Sequence, residues 1–260
     1  MARVTRFAPS PTGPLHLGHA FAALTAAGRA DRFLLRIEDI DQTRCRPDYE
    51  QAIYDDLHWL GLTWETPVLR QSTRSTAYQI ALDRLTALGL TYHCTCTRAD
   101  IRAALSAPQG PAAPAYPGTC RTAQHSHGAL RLNMAKATAP LPDLSFTESG
   151  QTLRFNPRQL ADDIILHRAN EGFAYHLAVV IDDAFQGITE VTRGADLQSV
   201  TPLHVTLQHL LGLPTPQYHH HRLILDDQGR RLAKRDDARA LSKYRSEGAT
   251  PADIRHMVGL

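Results

Sequence analysis

Apolar residues recur at helical spacing from Leu15 onward, at Leu17, Phe21, Leu24 and Ala27. The preceding residues Pro9, Pro11, Gly13 and Pro14 exclude both helix and central strand, so a first helix is predicted to start at Leu15. Before them, Val4, Phe7 and Ala8 form a short β-prone run, and Phe33 to Ile37 reads as a second strand. Strand, helix and strand in that order predict a right-handed crossover and a parallel sheet, whose ligands bind beyond the carboxyl ends of the strands. Helical periodicity returns over 48–60 and 76–88, each run followed by a glycine, Gly61 or Gly89. Alternation over 129–133, the run 164–166, an apolar stretch from Phe173 to Ile181 closed by Asp182 and Asp183, a strand over 188–192 and a helix over 199–211 resume the α/β order. The expectation is therefore an α/β chain with a Rossmann-like parallel sheet split by an insertion. Its divisions are 1–92 and 129–215 as the two halves of a nucleotide-binding domain, 93–128 as the insertion, and 216–260 as a loop segment with a short α-helical C-terminal piece.

Composition narrows the function classes. With 28 Lys and Arg against 26 Asp and Glu in 260 residues, the chain lacks the basic excess of a protein that coats nucleic acid indiscriminately. No signal peptide and no bilayer-length apolar run is evident, which together with four cysteines reads as a cytoplasmic protein with no membrane partner.

Three groups of residues carry chemistry. His16 and His19, three apart, are predicted on one face of the first helical turn, beside the unpaired N–H groups that favour anions, with Gly18 opening the backbone to a nucleotide. Cys94, Cys96 and Cys120 would repel as thiolates unless a cation neutralised them, and a closed sulfur-rich set suits one structural zinc ion. Ligand chemistry alone offers His125 or His127 as the fourth donor. The acidic run Glu38, Asp39, Asp41 fits a solvated loop or helix cap as readily as a site. Trp59 and Trp64 are assigned to core or rim packing, and His219 to His221, whose side chains alternate faces, to a strand edge.

The stretch R-F-A-P-S-P-T-G-P-L-H-L-G-H from Arg6 to His19 resembles the HIGH signature of class I aminoacyl-tRNA synthetases in its glutamyl branch. R-L-A-K-R at 231–235 resembles the second signature of that class, with Arg231 in place of a lysine and Ala233 in place of a serine. The pattern C-x-C followed by Y-P-G-T-C is similar to that of the glutamyl-Q tRNA(Asp) synthetases, and it implies Tyr116 as the fourth metal ligand. The resemblance implies His16, His19 and Lys234 as the catalytic residues, with Gly18 beside them at Mg-ATP. It implies a glutamate pocket of Arg6, Phe7, Ala8, Pro9, Ser10, Glu38, Tyr175 and Arg193, in which Glu38 faces the α-ammonium group. Lys234 lies 26 residues from the end (260 − 234), too few for an anticodon-binding domain, so none is expected. The function so implied is activation of L-glutamate by ATP without tRNA, then transfer to queuosine in the anticodon loop of tRNA(Asp), by a monomer. Two alternatives stand beside it: a truncated or partner-assisted glutamyl-tRNA synthetase charging the 3′ end of tRNA(Glu), and a non-catalytic paralogue that binds adenylate or RNA.

Overall fold

The computed structural model describes residues 2–97, 99–101, 116, 118–160, 162–168, 171–225 and 239–260. Strands β1 (Val4–Phe7), β2 (Arg32–Ile37) and β3 (Glu65–Arg70) form a parallel sheet in that order, with helix α1 (Leu17–Gly28) crossing from β1 to β2. Helix α1 presents Ala20, Phe21, Ala23, Leu24 and Ala26 inward at the expected helical spacing. These pack with Leu15, Leu35, Ile37 and with Ile53 and Leu57 of α2 (Pro47–Trp59), each buried leucine or isoleucine contributing about 1.5–3 kcal/mol. Trp59 and Trp64 pack half-buried against this core.

A second parallel set, β10 (Glu190–Gly194), β11 (Gln217–His221) and β6 (Leu144–Glu148), is closed by β7 (Gln151–Phe155), antiparallel to β6. It meets the first sheet along β1, where the Thr189 N–H donates to the Val4 carbonyl at 3.0 Å. Strand β11 therefore lies between β10 and β6. The histidine run it carries is interior, which corrects the expectation of a strand edge: His219 bonds Ser149, His220 lies between Glu148 and Arg193, and Nδ1 of His221 meets the Arg222 carbonyl, while the buried Nε2 of His221 has no partner among the described residues.

The remaining strands, β4 (Thr91–Cys94), β5 (Ala129–Leu132), β8 (Ile165–Arg168) and β9 (Gly172–Phe173), make a separate antiparallel sheet. The runs at 129–133 and 164–166, expected to resume the α/β order, belong to this sheet instead. Alternation marks a strand and its faces but not its partner, so residues 129–215 are divided between two sheets. Helix α3 (Ser75–Ala87), the short α4 (Met134–Thr138), α5 (Tyr175–Phe185) and α6 (Thr201–Leu211) enclose a second core around Leu132, Leu166, Leu177 and Leu207. Two short helices, α7 (Leu241–Ser246) and α8 (Pro251–Val258), return the chain to α1 through Leu241 and Ile254. Among the described residues no helix is long and apolar enough to cross a membrane.

Candidate functional site

A cavity of about 500 Å³ opens at the carboxyl ends of β1, β2, β10 and β11, where a doubly wound sheet leaves backbone groups unpaired. Every residue expected at the glutamate pocket lines it: Arg6, Phe7, Ala8, Pro9, Ser10, Glu38, Tyr175 and Arg193, together with His16, Gly18 and His19. The proline-rich segment reaches this position because it cannot pair as strand or coil as helix. It is pinned by the Glu38 N–H on the Pro9 carbonyl and the Arg46 N–H on the Pro11 carbonyl, both 3.0 Å.

The two signature imidazoles are organised by the helix they precede. His16 is the extended N-cap of α1, not a member of its first turn as expected, because an N-cap side chain must turn back to accept from the helix. Its Nδ1 accepts the Gly18 N–H at 3.1 Å, and Nδ1 of His19 accepts the His16 N–H at 3.2 Å. With both Nδ1 atoms accepting, the proton of each neutral ring is on Nε2, and two donor rings, tilted by 39° with centroids 3.9 Å apart, stand at a helix N-terminus. A Cβ on Gly18 would lie 3.0 Å from Cε1 and 3.1 Å from Nδ1 of His16, so glycine is what allows this ring position.

Opposite them lies a buried charge network. Arg6 Nε donates to Asp183 at 2.9 Å, Arg6 Nη2 to the other oxygen at 3.3 Å, and Arg6 Nη1 to the Thr192 carbonyl. Arg36, wholly buried on β2, donates to the same Asp183 at 2.7 Å and to Glu38 at 3.2 Å. Burial alone would raise the Asp183 pKa, but the two guanidinium groups outweigh it and hold the carboxyl well below its ordinary range. Glu38 shifts the other way: burial raises it, against the opposing pull of Arg36 and Arg6. Asp182, beside Asp183 on α5, serves the other side of the helix, accepting from Gln71, Arg74 and Tyr78.

Arg193, at the end of β10, donates Nε to His220, Nη1 to His204 Nδ1, and Nη2 to the Leu197 carbonyl and Thr201 hydroxyl. His220 in turn contacts Glu148 through Nδ1 at 2.7 Å. Burial, with Arg193 adding to it, lowers the pKa values of His204 and His176.

The cysteine cluster forms outside this cavity. Sulfur atoms of Cys94, Cys96 and Cys120 lie within 4.8 Å of one another, and Cys94 donates to the Tyr116 hydroxyl at 3.2 Å, with Cys96 Sγ 3.8 Å from it. His125 turns aside to Thr95 at 3.3 Å. The convergent donor set is thus three thiols and a phenol, a combination that fits a small tetrahedral cation. Burial opposes ionisation of Cys120, but the Thr95 backbone and the neighbouring Tyr116 and thiols outweigh it and bring the thiol down to about 6. Burial and Cys120 push Cys96 up to about 11.

Lys234, Arg231 and Ala233 lie outside the described residues. The chain on either side reaches the site: Leu223 and Ile224 line the cavity, and the Leu241 N–H donates to the Leu15 carbonyl beside the His16–Ala240 bridge. Sequence reasoning missed Arg36, Asp183, His176 and His204. The Asp182–Asp183 doublet was visible as polar residues ending an apolar run, but only the fold reveals that both are inside helix α5 and buried.

Residues 3–260 match the family described as tRNA synthetases class I (E and Q), catalytic domain. A glutamyl-Q tRNA(Asp) synthetase of Rhodobacter capsulatus is 54% identical over 99% of this chain and 100% of its own length. One from Nocardia farcinica is 44% identical over 96% of this chain and 81% of its own. The crystal structure of glutamate-tRNA synthetase from Elizabethkingia anophelis superposes on all of this chain with a TM-score of 0.80 at 27% identity. This chain spans 61% of that protein's length.

Proposed function

This chain belongs to the class I tRNA synthetases for glutamate and glutamine and, within them, to the glutamyl-Q tRNA(Asp) synthetases; on that premise we propose that it activates L-glutamate with ATP and transfers it to queuosine in tRNA(Asp). The observation that carries this reading is the convergence of Arg6, Glu38, Tyr175 and Arg193 with His16 and His19 on one cavity. A diacid with an ammonium group suits two guanidinium groups and one carboxylate.

In the first step a carboxylate oxygen of glutamate attacks the α-phosphorus of Mg-ATP, a P–O bond forms, and pyrophosphate leaves with its bonding electron pair. His16 and His19 donate from Nε2 to the phosphates as charge builds on them, and Lys234 neutralises the departing pyrophosphate. In the second step a hydroxyl oxygen of the RNA attacks the glutamyl carbonyl carbon and AMP leaves. No protein nucleophile is needed; the catalysis is positioning and charge neutralisation. Cys94, Cys96, Tyr116 and Cys120 would hold one zinc ion, whose role is to tie the insertion together, since four protein ligands leave no position for water.

ATP–pyrophosphate exchange with glutamate alone tests the activation step. Exchange without RNA is expected, and exchange that appears only after tRNA is added overturns it. Labelled glutamate is expected on queuosine-bearing tRNA(Asp); recovery on the 3′ end of tRNA(Glu) would assign the chain to 3′-end charging.

A further inference from the structure

A second cavity, also about 500 Å³, adjoins the first across Ser10, Glu38 and Tyr175, which line both. An acceptor that attacks the carbonyl of an adenylate held in the first cavity must come from such a neighbour. His176, the next residue of α5 after Tyr175, lines only the second cavity.

The hydrogen bonds around Arg193 decide what His176 offers there. A guanidinium has donors and no acceptor, so His204 Nδ1, 2.9 Å from Arg193 Nη1, must accept. A neutral His204 then carries its proton on Nε2, 3.0 Å from Nδ1 of His176, and that nitrogen must accept in turn. His176 is left with its single proton on Nε2, and no other described residue bonds that atom. The chain cannot readily reverse, because Arg193 is held from the other side by His220, which is itself fixed by Glu148. A second donor shares the wall. Arg131 is buried, bonds the Asp163 carbonyl at 2.7 Å, lies 3.8 Å over the Tyr116 ring, and keeps a buried Nε with no partner among the described residues.

We infer that the second cavity receives the hydroxyl-bearing nucleoside of the RNA and that His176 donates its Nε2–H to a hydroxyl oxygen of that nucleoside. This rests on the transfer reading above. The donor's polarity excludes His176 as the base for the transfer. The attacking oxygen forms the ester bond, the carbonyl-to-phosphate C–O bond breaks, and the hydroxyl proton leaves on the phosphate of AMP. His176 sets the position of the acceptor, as a neutral donor suited to a diol rather than to a phosphate.

The test compares the full-length protein with His176→Leu and His176→Gln, measuring single-turnover transfer from preformed glutamyl adenylate to a queuosine-bearing anticodon stem-loop, beside ATP–pyrophosphate exchange. Leucine is expected to raise the half-saturating RNA concentration about tenfold more than it changes exchange, as for loss of one hydrogen bond. Glutamine, whose amide nitrogen reaches the Nε2 position, is expected to restore transfer to within about threefold. Equal losses of transfer and exchange would show that His176 acts only through His204 on Arg193, and would overturn the proposal. Unchanged transfer in His176→Leu overturns it too. If leucine prevents folding, His176→Asn replaces it: asparagine places its donor near Nδ1, and transfer as good as glutamine's would overturn the assignment. A wild-type protein that forms adenylate but transfers to no RNA sinks this proposal while the activation reading stands.

Discussion

Asp183 joins two walls of the first cavity, because one carboxylate anchors both Arg6 and the Arg36 that bonds Glu38. Asp183→Asn would leave the buried Arg6 guanidinium without its anion and Arg36 with Glu38 alone, and loss of one partner of a buried pair costs about 3–5 kcal/mol. Urea denaturation at neutral pH is expected to show that loss, with a raised KM for glutamate in exchange as Arg6 shifts. The pH dependence has a definite sign. Because the folded pKa of Asp183 is depressed, its contribution is complete above the ordinary carboxylate value of about 4 and is lost as pH falls below it. Stability of the wild-type protein should therefore fall more steeply with acid below pH 4 than that of Asp183→Asn; parallel curves would refute the account. At this scale the sequence was legible where a residue's type restricts its use. The structure places His16, His19, Glu38 and Arg193 around the cavity where their motifs led one to expect them, and Tyr116 beside the thiols. Arg36 and Asp183 were not legible, since a charged residue inside an apolar strand or helix looks like a solvated one until its partner arrives from 147 positions away.

Among the elements, α1 shows how local geometry becomes chemistry. Its capping arrangement uses the two histidines in place of the usual hydroxyl or carboxylate caps, so the helix end and the proposed nucleotide site share the same atoms. Gly18→Ala separates the two roles. Alanine is the better helix former by about 0.5–1 kcal/mol, so melting temperature should hold or rise. The new Cβ, 3.0 Å from His16, would push that ring by a few tenths of an ångström, and exchange is expected to fall about tenfold. Unchanged exchange would show that the ring position does not matter. Element boundaries for α2 and α3 fell close to the expected runs, because glycine and apolar period act locally. Strand β3 and the β6–β7 hairpin were missed: β3 has no buried residue and contains Pro67, so it carries no alternation to read.

Across the whole molecule the cysteine cluster and the second cavity are linked through a few side chains. Tyr116 supports Arg131 by stacking, Arg131 bonds the Asp163 carbonyl, and Asp163 also holds Arg121, Tyr92 and the Met134 N–H. One equivalent of zinc is expected in the purified protein by elemental analysis. Its removal by a chelator should lower the melting temperature and reduce transfer to RNA more than it reduces exchange, because Arg131 lines the second cavity and not the first. Equal loss of both activities would refute that separation. The amino-acid sequence by itself determined the class of fold, the first helix and its histidines, the sulfur-rich cluster and the residue types that line the first cavity, since each depends on short-range period, on proline and glycine, or on motif spacing. Only the tertiary structure decided which strands share a sheet, that the histidine run is interior, that Asp183 anchors both arginines, and which nitrogen of His176 carries its proton. Those depend on pairing between distant segments, where hydrogen-bond direction and burial, rather than local pattern, set the outcome.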